Sequence, residues 1–274
     1  MDILKSFIFG LVSGISEYMP VSSLGHQELM RQLLGLSSEN PILDLFTHVG
    51  VLMAAVYLSW NTLEGYRMEY YASGARSRRR YSNPKRTYEL RLLITALIPM
   101  LLILLFSFWG RSTANHSLLV CLFFILNGIM MYLPDYLRQS NKDASYMSGF
   151  DGLLLGLASG LRILPGFSGL GMGLSVTVMR GADKAEAFNW SMILTIPALL
   201  LLCILDIVGI FTAAGLAISL MNFIGYFLAA VGAFVGAYGA ILLMRFLIIN
   251  TGFSGYALYC WGIAMLMFIL FLIS

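Results

Sequence analysis

The chain has 274 residues, 59% of them hydrophobic and 11% charged, with a net charge of +3 and a mean hydropathy of +0.82. A water-soluble domain of this size needs far more charge to clothe its surface, so a soluble protein is excluded and most of this exterior faces hydrocarbon. Eight of the seventeen basic residues crowd the stretch from Arg67 to Arg91, but no nucleic-acid-binding fold signal accompanies them, and nucleic acid is set aside as a partner.

The N-terminal stretch MDILKSFIFGLVSG has one Lys and no small-residue cleavage pattern, and is read as mature protein. Apolar stretches long enough to cross about 30 Å of hydrocarbon recur at 41–60, 88–109, 117–136, 188–208, 219–244 and 254–273. Cys121, Cys203 and Cys260 sit inside such runs as packed thiols, with no metal or disulfide spacing. Two further apolar segments, 3–35 and 149–181, are interrupted near their middles by Pro, Gly and Ser. The fold class predicted is an all-α polytopic membrane protein with six spans and two re-entrant helix pairs, in a single domain over 1–274.

The two broken segments read alike. Gly10-Leu11-Val12-Ser13-Gly14 matches Gly156-Leu157-Ala158-Ser159-Gly160, and with one single-residue gap Pro20 and Ser23 fall on Pro165 and Ser168. The spacing points to an internal repeat, the first copy over about 1–110 and the second over about 149–244, followed by a final helix at 254–273. If both segments return to the side they came from, the basic 61–87 loop is cytoplasmic, as are 137–148, 180–184 and the 245–253 turn. Arg138, Lys142, Arg180, Lys184 and Arg245 then join the eight on the inside, while Lys5, Arg31 and Arg111 lie outside. One broken segment enters from each face, as an inverted repeat requires, and both termini face outward.

Irregular backbone at membrane depth survives where it is buried in protein or lines a cavity, so the two breaks are expected to share a polar chamber. Ser22 and Ser23 precede a helical pattern as N-cap residues, and helix N-termini attract phosphate. Ser168 opens the glycine run Gly169-Leu170-Gly171-Met172-Gly173, which either forms a nest of N–H donors for a diphosphate or allows close helix packing. Glu17, Ser23 and His26 suit an orienting acid, nucleophile and base; alternatively Glu17 only bonds freed backbone N–H groups and His26 caps a turn. Arg162 needs a partner, either Glu17 or a phosphate. Asp44 and His48 share a helical face, where they either line the site or support the residues that do; His116 is assigned to an external loop, and Asp206 to the membrane interface.

The stretch Glu17-Tyr18-Met19-Pro20-Val21-Ser22-Ser23-Leu24-Gly25-His26 resembles the signature of the undecaprenyl-pyrophosphate phosphatase family of the bacitracin-resistance type, an acidic pair followed by Leu-Pro-Val-Ser-Ser-x-Gly-His. Pro165-Gly166-Phe167-Ser168-Gly169-Leu170-Gly171 echoes that family's Pro-Gly-x-Ser-Arg-Ser-Gly, and the likeness extends through Asp44–Gly50 and Ser191–Pro197. The resemblance implies an enzyme of the bacterial plasma membrane that converts the C55 isoprenoid diphosphate to its monophosphate on the outer face, recycling the carrier for peptidoglycan synthesis. It implies Ser23 as nucleophile or phosphate ligand, His26 as acid/base and Glu17 as the retained acid. It also implies a divalent cation, Mg²⁺ or Ca²⁺, with Glu17 as its possible ligand. Ser22, Ser168, Gly166, Gly169, Gly171, Arg162 and Ser13 complete the expected substrate contacts, with membrane lipids and a second copy of the chain as open partners.

Two departures matter. The first acid of the pair is Ser13, and the motif arginine is Gly169, with Leu170 in place of the following serine. Arg162 is the candidate to replace that guanidinium from the other side of the loop. The losses keep a rival open: a non-catalytic relative that binds or translocates the polyprenyl phosphate. An unrelated small-solute transporter is a third reading.

Overall fold

Proline and serine mark where helices stop and start in the computed structural model, which describes residues 2–37, 40–74, 83–107, 117–137, 144–212 and 220–273. Helix α1 (Ile3–Tyr18) is capped by the Asp2 carboxylate, which accepts hydrogen bonds from the Leu4 and Lys5 N–H groups. It ends because Pro20 holds Met19 extended, at φ −90° and ψ 147°. Helix α2 (Ser23–Leu34) starts under the Ser22 hydroxyl and closes on Gly35 in the left-handed region.

The second broken segment repeats this grammar. A reciprocal Ser148–Asp151 box opens α6 (Gly149–Gly160). A 3₁₀ turn at Leu161–Ile163 follows, Leu164 is extended ahead of Pro165, and Ser168 caps α7 (Gly169–Met179). These four helices have 16, 12, 12 and 11 residues. At 1.5 Å per residue they are between about 16 and 24 Å long, too short to cross alone.

Both segments are hairpins. Lys5 Nζ, at the start of α1, donates to the carbonyl of Leu34, at the end of α2, over 2.7 Å. Arg180 Nε, just past α7, donates to Asp151 Oδ1, in the first turn of α6, over 2.5 Å. Helices running on in one direction could not bring their outer ends together in this way.

Helices α3 (Pro41–Gly74), α4 (Pro84–Leu104), α5 (Ser117–Tyr136), α8 (Lys184–Thr212) and α9 (Leu220–Asn250) are long and apolar enough to cross a membrane. With 20 residues, α10 (Ser254–Ile273) reaches about 30 Å and supplies the sixth span. Helix α3 runs antiparallel to α8, because His48 meets Asp206 while Ser59, further along α3, meets Met192 near the start of α8. Their N-terminal ends therefore lie on opposite faces, and so do the mouths of the hairpins that precede them.

Each hairpin packs against the last helix of the other half, α1 on α9 and α6 on α4. On α1, Gly10 and Gly14 permit this, since a Cβ at either would overlap the α9 backbone at Ala229 or Ala233. Tyr18, Leu174 and Trp190 lie fully buried in the apolar core between the halves.

Some expected boundaries need correction. The 61–87 stretch is not one loop: α3 continues to Gly74, and α4 begins at Pro84 with Asn83 as its cap. Glu69 fastens the two, accepting from Asn83 N at 2.9 Å and Thr87 Oγ1 at 2.8 Å. Helix α9 runs on to Asn250, which shrinks the 245–253 turn to its last three residues. The Arg78–Arg80 run, Arg111, His116, Arg138 and Lys142 lie outside the described residues.

Candidate active site between two hairpin tips

The hairpin tips are bonded to each other. Ser22 adopts φ 70°, a left-handed conformation that side chains rarely take. Its hydroxyl accepts hydrogen bonds from Gly166 N–H at 2.8 Å and Gly25 N–H at 3.3 Å. In return, the Ser168 hydroxyl donates to the Met19 carbonyl at 3.4 Å. Asn127 of α5 spans both tips, donating from Nδ2 to the Pro20 carbonyl at 3.1 Å and accepting the Ser168 N–H at Oδ1 over 2.9 Å. Sequence reading did not single out Asn127; its signal is an amide within an otherwise apolar span.

Three residues expected among the substrate contacts are engaged between the tips. Gly166 and Gly171 spend their N–H groups on the Ser22 and Ser168 hydroxyls, and a Cβ on Gly171 would lie 2.7 Å from the Pro20 Cβ. They shape the contact between the tips, as close packing required, and Ser22 joins them there.

A chamber of about 40 Å³ lies beside this contact, lined by Glu17, Ser23, Gln27, His48, Arg162 and Ser168, with Gly169 also on its wall. Glu17 and Arg162, both buried, form an ion pair across it. Gln27 Nε2 donates to Ser23 Oγ at 3.1 Å, which leaves the Ser23 proton directed elsewhere. Two helix N-termini converge here with one guanidinium, one carboxylate and three serines, Ser23, Ser107 and Ser168. Such a set can hold an anion and present an oxygen nucleophile to it.

Other expected residues fall elsewhere. His26 does not line this chamber: its Nδ1 meets the Ser22 carbonyl and its Nε2 the Tyr259 hydroxyl, both at 2.7 Å. It belongs instead to a second, mainly apolar cavity of about 660 Å³ with Val12, Ile15, Met19, Val21 and Tyr259. Ser13 donates back to the Phe9 carbonyl at 2.7 Å and lines neither cavity. Asp44 pairs with Arg31. Asp206, expected to meet the membrane interface, is 0% exposed and accepts from His48 Nδ1 at 2.6 Å.

The donors facing the chamber are thin for a protein-held divalent cation. Glu17 is the one carboxylate among the described lining residues, and a guanidinium already occupies it. Among the described residues no three His, Cys, Asp or Glu side chains are grouped to hold a metal ion. Ca²⁺ takes many oxygen ligands, which this lining does not supply, whereas Mg²⁺ is held by one or two carboxylates together with substrate phosphates, a role in which Glu17 is the one carboxylate at hand.

Fold and site together define a polytopic, all-helical membrane protein in which two re-entrant hairpins close on a buried polar chamber. The chain matches the family described as bacitracin resistance protein BacA over residues 6–266, and it belongs to that family. It is similar to the undecaprenyl-diphosphatase of Carboxydothermus hydrogenoformans, 30% identical over 265 residues covering 95% of this chain and 94% of the relative. The undecaprenyl-diphosphatase of Halothermothrix orenii is 23% identical over 270 residues, covering 98% of both chains. That of Methanobrevibacter smithii is 28% identical over 275 residues, covering 98% and 97%.

Proposed function

We propose that this protein is an undecaprenyl-diphosphate phosphatase that removes the terminal phosphate in the chamber between the hairpin tips. The observation that carries this reading is the convergence of Glu17, Ser23, Arg162 and Ser168 there, within a chain aligned along nearly its whole length with relatives of that name. The chamber is narrow because Arg162 rests against Glu17. A diphosphate is the stronger partner for a guanidinium, so its arrival draws Arg162 off the carboxylate and widens the site.

Glu17, released, becomes the base for Ser23. Ser23 Oγ attacks the terminal phosphorus and passes its proton to Glu17; the bond from phosphorus to the bridging oxygen breaks, and the lipid monophosphate departs. Water then attacks the phosphoserine, the bond from phosphorus to Oγ breaks, Ser23 recovers its proton, and inorganic phosphate leaves. Arg162 and the N-terminus of α7 stabilise the charge that builds on phosphorus oxygens in both steps. The apolar cavity on the other face of the α1–α2 corner takes the polyprenyl chain. In this reading the halves are inverted copies in a bacterial plasma membrane, with the basic α3–α4 end cytoplasmic and both termini and the site outside.

The test is phosphate release from C55 diphosphate by detergent-purified protein. Wild type turns over, and Ser23→Ala loses at least about a hundredfold. No release, together with saturable binding or flipping of the lipid in vesicles, would overturn this reading in favour of a carrier.

A further inference from the structure

One buried acid takes no part in the mechanism above. Asp206 is a carboxylate with no exposed surface, six residues before the end of an apolar helix, and intramembrane acids of that kind are kept for a purpose. It sits against His48 Nδ1, and His48 lines the same chamber as Ser23 and Arg162. An acceptor on Nδ1 fixes that nitrogen as the protonated one, so the base on the ring is Nε2.

The remaining groups leave the role of second base open. His26 has both ring nitrogens engaged on the far side of the corner. Glu17 is occupied in the first half-reaction. The other charged or titratable groups around His48 are balanced or neutral: Asp44 on its own helix is paired with Arg31 of α2. Arg162, from the 3₁₀ turn, is paired with Glu17 of α1, and Cys203 lies beside Asp206 on α8. From α9, Tyr226 is hydrogen-bonded by Asn40, and Arg245 donates to the Leu58 carbonyl, ten residues along α3 from His48. Leu104 is what α4 contributes to the chamber wall.

We infer that His48, oriented by Asp206, is the proton acceptor of the second half-reaction. Its Nε2 takes a proton from the water that attacks the Ser23 phosphoester, as the new oxygen–phosphorus bond forms and the bond to Ser23 Oγ breaks; the proton is later returned to solvent. This rests on the phosphatase reading above. Asp206 is a positioning residue: it fixes the ring's tautomer and balances the imidazolium that forms.

The test uses C55 diphosphate labelled with ³²P in its terminal phosphate. In wild type, turnover falls at acid pH as His48 becomes protonated. His48→Gln lowers phosphate release by at least about a hundredfold, loses the acid limb, and accumulates label on Ser23. Asp206→Asn displaces the acid limb to lower pH, because the imidazolium loses its carboxylate; this variant carries the test if His48→Gln does not fold. Release within about threefold of wild type and an unchanged limb in the folded variants would overturn the inference while leaving the phosphatase reading intact. An inactive wild-type protein would sink both.

Discussion

A Cβ built on Gly169 would lie 2.7 Å from the Cβ of Arg162 and 3.3 Å from its Cδ. Arg162 and the Ser159 carbonyl, 2.8 Å from that Cβ, thus fill the space into which a side chain at position 169 would project. Under the proposed function, Arg162 supplies from the 3₁₀ turn the guanidinium that the resemblance places at position 169.

Arg162→Ala strands the Glu17 carboxylate in a buried site, at a cost of about 3–5 kcal/mol, and lowers turnover by about a hundredfold or more. Gly169→Arg is destabilising both alone and in the Arg162→Ala background, because the Cβ of residue 162 and the Ser159 carbonyl, 2.7 and 2.8 Å from a Cβ at 169, stay in place in either. Thermal unfolding and phosphate release check this, and a double variant as stable and active as wild type would contradict it.

Asn127 ties both tips to α5, so Asn127→Leu orphans the Pro20 carbonyl and the Ser168 N–H. Each buried loss costs about 1–3 kcal/mol, and the shared geometry of Ser23 and Ser168 goes with it. The expected result is a lower unfolding temperature and reduced turnover with little change in KM. Wild-type behaviour in both would remove Asn127 from the site.

Gly255 borders the 660 Å³ cavity, and a Cβ there meets nothing within 4 Å. Gly255→Trp therefore blocks the cavity without a clash. KM for the C55 substrate rises by about tenfold, the equivalent of 1.4 kcal/mol of lost binding, while a short-chain prenyl diphosphate is turned over as before. Equal effects on both substrates would place the lipid chain elsewhere.

Orientation is open to thiol labelling, because Cys121, Cys203 and Cys260 are buried and give a low background. Ser37→Cys, between α2 and α3, is predicted to react with an impermeant reagent in intact cells. Tyr146→Cys, at a position 73% exposed, reacts once the membrane is opened. The reverse pattern would invert the proposed topology.

The hairpins were legible because their signals are local. Pro20 and Pro165 stop helices whatever surrounds them, and Ser22 and Ser168 start new ones. The Glu17–Arg162 pair was also within reach, since two opposite charges in broken apolar segments have few alternatives. What the sequence did not disclose depends on which face of a helix meets which neighbour. His26, three residues after Ser23, was expected beside it, but three residues fall short of a full turn. Gln27, at four, bonds Ser23 instead, and the ring of His26 turns to Tyr259. Asp206 found its partner on a span more than 150 residues away in sequence, a separation that no periodicity reports.

The ties between Ser22 and Gly166, Ser168 and Met19, and Asn127 and both tips lie where the two halves of the molecule would have to part if it worked as a rocker. Alternating access swings one half of an inverted repeat against the other about such a centre. Under the proposed function these ties instead keep Ser23 and Ser168 in one register about the phosphate, and the lipid is expected to enter sideways, from the bilayer.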